Sequence, residues 1–228
     1  LLQEQWAIWK IMPTGKRDSA GSIDATANGL VWAILMLPAP LFAVPPILGL
    51  QPWRVAMTPT GVASVGLLTV ALAISPLLLL FPRSSSLLWL VRHRRAVGVA
   101  AFSYAALHLA VFIPAVGRLD YILLGMAYPS MWTGWISFAL LALLAATSNG
   151  LSLRRLGVWW KQLHRIAYVA ALLAYGHWLL LTSSTGWAAY CGATLTVLQA
   201  LRLPQWYATR RKHTGSIAET TVSASRRL

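Results

Sequence analysis

Five histidines are the residues in this 228-residue chain whose type and spacing could do chemistry. His108, His164 and His177 lie in or at the edge of long apolar stretches, whereas His93 and His213 belong to basic segments. An ionisable side chain at membrane depth points to a functional site, because burying it there is costly. The bland alternative is an imidazole hydrogen-bonded to neighbouring backbone or hydroxyl groups. His108 lies 14 residues beyond Arg94, at the basic edge of its stretch, and His177 lies 13 beyond His164, at the basic edge of its own. At about 1.5 Å of helical rise per residue these offsets are roughly 21 and 20 Å. On two helices running the same way, His108 and His177 therefore face one another at one height, toward the outer half of the bilayer. Two imidazoles on neighbouring helices can bind haem iron from both sides. His164 is left at the inner edge with His93 and Arg94. It is a candidate ligand of a second haem, paired with Arg94, His93 or water, or a contact to a haem propionate or headgroup. Thirteen steps of about 100° put it roughly 140° around the helix from His177, so a shared face does not follow from spacing.

Small residues flank the deep pair: Ala101, Ala105 and Ala106 near His108, and Ala170, Ala174 and Gly176 near His177. They let a flat macrocycle approach the backbone, although small residues serve close helix packing equally well.

The elements that must position these histidines are membrane helices. Hydrophobic residues are 57% of the chain and charged residues 11%, against about 25% charged in globular proteins. Six stretches are long and apolar enough to span, at roughly 29–50, 60–82, 96–116, 130–148, 164–182 and 185–203. The expected fold is an all-α, integral membrane six-helix bundle over 29–203, with tails at 1–28 and 204–228. Pro38, Pro40, Pro45 and Pro46 remove backbone donors from the first stretch, which should be kinked or broken. The net charge of +14 is an orientation signal, and 17 of the 19 Lys and Arg fall on one side, leaving only Arg54 and Arg118 on the other. Basic residues collect on the cytoplasmic face, so both termini are expected there, with contact to anionic membrane lipid and no nucleic-acid partner. Trp53, Trp89, Trp132, Trp159, Trp160, Trp187 and Trp206 fall near span ends and read as interfacial anchors. The first apolar run is too long for a cleaved signal peptide, and the tails are too short to fold a catalytic domain. A soluble partner is therefore another chain.

Glu4, Asp18, Asp24, Asp120 and Glu219 all lie outside the expected spans, which counts against proton pumps, ion-coupled transporters and carboxylate-dyad hydrolases. Phosphate-binding glycine motifs are absent. Cys191 is the only cysteine, so no internal disulfide or four-cysteine metal site can form.

Two runs resemble a known family. Arg94-Arg95-Ala96-Val97-Gly98, Phe102-Ser103-Tyr104 and Ala106-Leu107-His108 are similar to the first histidine helix of the MsrQ (YedZ) proteins. Thr147-Ser148, Arg155-Leu156-Gly157, Trp160, Gln162-Leu163-His164, Tyr168 and His177 resemble that family's second histidine region, including its 13-residue interval. The resemblance covers roughly residues 58 to 203 and extends to the wider ferric reductase and NADPH oxidase superfamily. Where the family usually carries Arg-Pro-Tyr, this chain reads Tyr128-Pro129-Ser130, on the side where a periplasmic partner would dock.

The resemblance implies one or two haems b bound by His108, His164 and His177, with Arg94 alongside, and an FMN attributed to members. It implies a bacterial inner-membrane electron carrier without a substrate-reducing domain of its own. Electrons would come from the quinone pool or a cytoplasmic flavin reductase and pass to a periplasmic molybdopterin-dependent reductase of methionine sulfoxide. The alternatives are a ferric reductase-like carrier with another acceptor, and a haem-free transporter or structural subunit. The charge distribution carries its own test. A reporter active only in the periplasm, fused after Leu228, is expected to stay silent, and activity there would overturn the orientation.

Overall fold

The computed structural model describes residues 29–181 and 186–200. The expected tails, His213 and Trp206 lie outside the described residues, as does the Trp187 side chain. Every regular element among the described residues is a helix. This is what a bilayer imposes, because a helix satisfies its backbone donors and acceptors within one segment.

The first apolar stretch forms two helices, α1 (Gly29–Met36) and α2 (Pro38–Ile47), meeting at a bend of 44°. Pro38 has no N–H to continue the ladder, and the break falls there, as the proline content predicts. Tyr104 enters the break from another helix. Its hydroxyl donates to the Leu35 carbonyl at 3.0 Å.

Among the described residues three helices are long and apolar enough to cross a membrane: α3 (Trp53–Leu80), α4 (Ser85–Val116) and, after the short α5 (Leu119–Gly125), α6 (Pro129–Ala146). The bent α1–α2 pair makes up to four. Two more short helices, α7 (Gly150–Leu156) and α8 (Val158–Leu163), precede α9 (Ile166–Leu181) and α10 (Gly186–Ala200). The last two have 16 and 15 described residues. The described part of each of the six expected stretches is thus helical, and among the described residues three helices, or four counting the bent pair, have spanning length.

The ends shift in informative ways. α4 starts at Ser85 and not at 96, so Arg92, His93, Arg94 and Arg95 are helical. Arginine is a good helix former and can reach water from a helix end, and Ser84 caps the start by accepting the Leu87 N–H. α3 likewise begins seven residues earlier than expected, at Trp53. α9 begins at Ile166, which leaves His164 in the preceding turn.

The bundle is built from two similar helix pairs, α3 with α4 and α6 with α9, with α10 closing against α3 and α9. Their likeness is written in the sequence. Thr60-Gly61-x-x-Ser64 on α3 recurs as Thr133-Gly134-x-x-Ser137 on α6, and Ala101, Ala105 and His108 on α4 recur as Ala170, Ala174 and His177 on α9. The contacts recur with the residues. Ser64 Oγ donates to the Ala101 carbonyl and Ser137 Oγ to the Ala170 carbonyl, each at 2.8 Å. Ala101 and Ala170 are completely buried, and the matched leucines Leu68 and Leu141 sit in one core with Leu72, Tyr175 and Leu195. Outward-facing side chains are apolar too, as at Leu172, which is 73% exposed; this surface suits lipid.

Arg54 Nε donates to the Ala115 carbonyl at 3.4 Å, which places it at the end of α4 that leads to Arg118. Asp120, the one carboxylate among the described residues, is paired with Arg118. That guanidinium holds its carboxyl below the usual range. The sparsely basic end of the bundle is thereby made nearly neutral. Removing the Tyr104 hydroxyl should cost stability, since the Leu35 carbonyl would lose this donor in an apolar setting. Tyr104→Phe is expected to destabilise the fold by about 1 kcal/mol, read as a lower unfolding midpoint in detergent.

Candidate functional site

His108 on α4 and His177 on α9 meet at the centre of the four helices, with ring centroids 6.5 Å apart and planes at 83°. Spacing along two parallel helices predicts this encounter, and the structure brings it about. The rings border a cavity of about 420 Å³ lined mainly by apolar side chains, among them Phe112, Phe138, Leu141 and Trp178.

The orientation of each ring is set by the helix opposite. His108 Nδ1 lies 2.9 Å from the Met57 carbonyl of α3, and His177 Nδ1 lies 2.6 Å from the Ser130 carbonyl of α6. A carbonyl can only accept, so Nδ1 carries the proton in both rings and Nε2 keeps its lone pair. Among the described residues neither Nε2 has a protein partner, and neither is sealed from the cavity. Sharing the Met57 end, Thr60 Oγ1 donates toward the Ala56 and Met57 carbonyls and sits 3.2 Å from His108 Nδ1.

Two glycines make room for these rings. A Cβ on Gly61 would lie 3.2 Å from the His108 ring, and one on Gly134 only 2.7 Å from the His177 ring. Glycine is needed there for close approach, not for an unusual backbone angle.

His164 does not join the deep pair. It occupies the turn between α8 and α9, with Nδ1 3.1 Å from the Trp160 carbonyl and Nε2 3.2 Å from Ser148 Oγ. Its ring stacks on Trp160 at 3.8 Å between centroids, and the Arg95 guanidinium lies over the same indole at 5.5 Å. Arg94 is close by in the first helix pair, where its Nη1 donates to Ser75 Oγ at 3.0 Å. Ser75 and Ser148 each lie 11 residues after the repeated serine of their own half, so Arg94 and His164 contact matched serines, although in the 69-residue register it is Arg95 that matches His164. His93 instead stacks beside Trp89 on its own helix, at 4.3 Å.

The sequence points to His108, His177, His164 and Arg94 as candidates, but not to Gly61, Gly134, Thr60 and the two carbonyls. The recurring Thr-Gly-x-x-Ser was the available signal. Carbonyl acceptors leave no trace in residue type.

Chemically, two neutral imidazoles facing each other can supply two opposed ligands to one metal. Among the described residues no three His, Cys, Asp or Glu side chains converge, so an ion held by side chains alone has no full shell here. A macrocycle that brings its own four in-plane nitrogens needs only the opposed pair. Metal–nitrogen bonds of about 2 Å, plus the half-width of each ring, require centroids about 6 Å apart. The observed 6.5 Å matches that requirement, and the apolar cavity suits a flat hydrophobic group.

Comparison with known proteins agrees with this architecture. The family described as the ferric reductase-like transmembrane component matches residues 60–175, the segment that holds His108 and His164 and runs to within two residues of His177. A relative from Pectobacterium carotovorum subsp. carotovorum (strain PC1), the protein-methionine-sulfoxide reductase heme-binding subunit MsrQ, is 32% identical over 186 residues. That alignment covers 78% of this chain and 88% of the relative. No solved structure matches the chain. The two helix pairs, their facing histidines and these two matches together establish that the chain belongs to the ferric reductase-like transmembrane family, with the MsrQ proteins.

Proposed function

We propose that this chain is the haem b-binding, electron-transferring membrane subunit of a methionine sulfoxide reductase system in the bacterial inner membrane. The observation that carries the reading is the pair of unpartnered Nε2 atoms facing one apolar cavity from α4 and α9. When bound, haem supplies reversible one-electron chemistry. The protein's part is to hold, orient and insulate. His108 and His177 would hold the outer haem through their Nε2 atoms, and haem held by two imidazoles would carry electrons without binding oxygen. Their Nδ1 bonds to Met57 and Ser130 lock the tautomer and raise the basicity of the ligating nitrogen. Phe112, Phe138 and Trp178 keep water from the centre.

At the inner end His164 is the candidate ligand of a second haem, with Arg94 opposite on the matched serine. Haem at both depths would form a path from the cytoplasmic to the periplasmic side. Electrons enter from the quinone pool or a cytoplasmic flavin reductase, and leave to a periplasmic molybdopterin-dependent reductase. The relative's name supports this acceptor, since it is called a heme-binding subunit of a protein-methionine-sulfoxide reductase. The family match also fits a second reading, a carrier delivering to another acceptor such as ferric iron.

Substitution separates the two depths. His108→Ala and His177→Ala are each expected to abolish the outer low-spin haem, while His164→Ala removes at most the other one. Absorption spectra of the purified variants give the answer. Full haem content and an unchanged spectrum in His177→Ala would overturn the pairing.

A further inference from the structure

The same four-residue device faces each deep histidine, and it belongs to helices that carry no ligand. On α3, Thr60 precedes Gly61, and the carbonyl four residues before that glycine, Met57, takes the His108 Nδ1 proton at 2.9 Å. On α6, Thr133 precedes Gly134, and the carbonyl four residues before it, Ser130, takes the His177 Nδ1 proton at 2.6 Å. Both threonines donate into those same two carbonyls, Thr60 at 2.9 Å and Thr133 at 2.8 Å. Both serines three residues after the glycines tie their helix to the histidine helix.

We propose that the repeated Thr-Gly-x-x-Ser segments are imidazole seats: Gly61 and Gly134 give each ring its room, and Thr60 and Thr133 set how strongly the shared carbonyl holds the Nδ1 proton. This rests on the haem reading above and assigns positioning residues to it. The glycine lets the ring lie against the facing helix, so the carbonyl can reach Nδ1 and Nε2 is turned into the cavity. A Cβ would push the ring off that carbonyl. The threonine hydroxyl shares the carbonyl lone pairs with the imidazole and so weakens the imidazole's bond. Because an Nδ1 hydrogen bond raises ligand basicity, freeing the carbonyl makes the ligand more electron-donating and favours the ferric state.

The two seats are unequal. Clearance is 2.7 Å at Gly134 but 3.2 Å at Gly61, and only His108 has a threonine oxygen within 3.2 Å of Nδ1. The His177 seat is therefore the tighter one.

The test uses the full-length protein purified from haem-replete cells, read by electron paramagnetic resonance and by redox titration. Gly134→Ala should lose the outer low-spin signal, Gly61→Ala should keep it with shifted g-values, and Gly98→Ala, with open space around it, should match the parent. Thr133→Val should lower the midpoint potential, and Thr133→Ser should restore it. A parent protein without haem would overturn the haem reading and this inference with it. A haem-loaded parent whose spectrum Gly134→Ala leaves unchanged, or whose potential Thr133→Val leaves unchanged, would overturn the inference alone. If Gly134→Ala does not accumulate, the Gly134→Ala, His177→Ala double variant decides. Recovered yield supports a clash with the ring, and no recovery contradicts it.

Discussion

A backbone carbonyl can only accept a hydrogen bond, and in lipid it has no water to turn to. These two restrictions decide which nitrogen of His108 and of His177 faces the cavity. Met57 and Ser130 accept the Nδ1–H bonds, so both rings present Nε2 to the cavity, as the proposed haem site requires. Much of the rest of the structure supports those two bonds. Gly61 and Gly134 bring the acceptor helices close, Ser64 and Ser137 pin them to α4 and α9, and Ala101 and Ala170 allow the contact by having almost no side chain.

The same economy explains why the bundle is two copies of one helix pair. A pair of helices carrying one histidine would offer the proposed haem a single ligand, and placing two such pairs face to face brings the second histidine within 6.5 Å of the first. The copies agree at the His108–His177 end, the outer one in the proposed orientation, and part at the inner end. There the second half has His164 on Ser148, and the first half has Arg94 on Ser75. An arginine is always charged and has no lone pair to offer at neutral pH, so the groups on the matched inner serines differ in chemistry where the outer ones do not. The basic residues Arg94 and Arg95 also lie at that inner end, around Ser75 and Trp160.

Most of what the sequence made legible came from periodicity and charge. Apolar length revealed the helical stretches, four prolines announced a broken first stretch without saying which one breaks it, and rise per residue brought His108 and His177 together. Helix ends were less legible because α4 carries its basic residues inside the helix, where charge normally marks a boundary. His164 was hard to place because a turn separates it from α9 and breaks the register on which an angle calculation depends. The support around the ligands was hidden for a different reason. Carbonyls are common to every residue, and a glycine at 61 or 134 reads as a packing residue until its neighbour is known to be an imidazole. Tyr104 was quoted only as part of a motif, and its contact with Leu35 joins residues 69 apart.

The central claim is that His108 and His177 hold one haem b between them. It is tested most directly by a reduced-minus-oxidised absorption spectrum of the purified protein, with haem counted against protein as the pyridine haemochrome. The account predicts a low-spin b-type spectrum with at least one haem per chain, and a second haem would make His164 its ligand. An intact, folded protein without haem would contradict it.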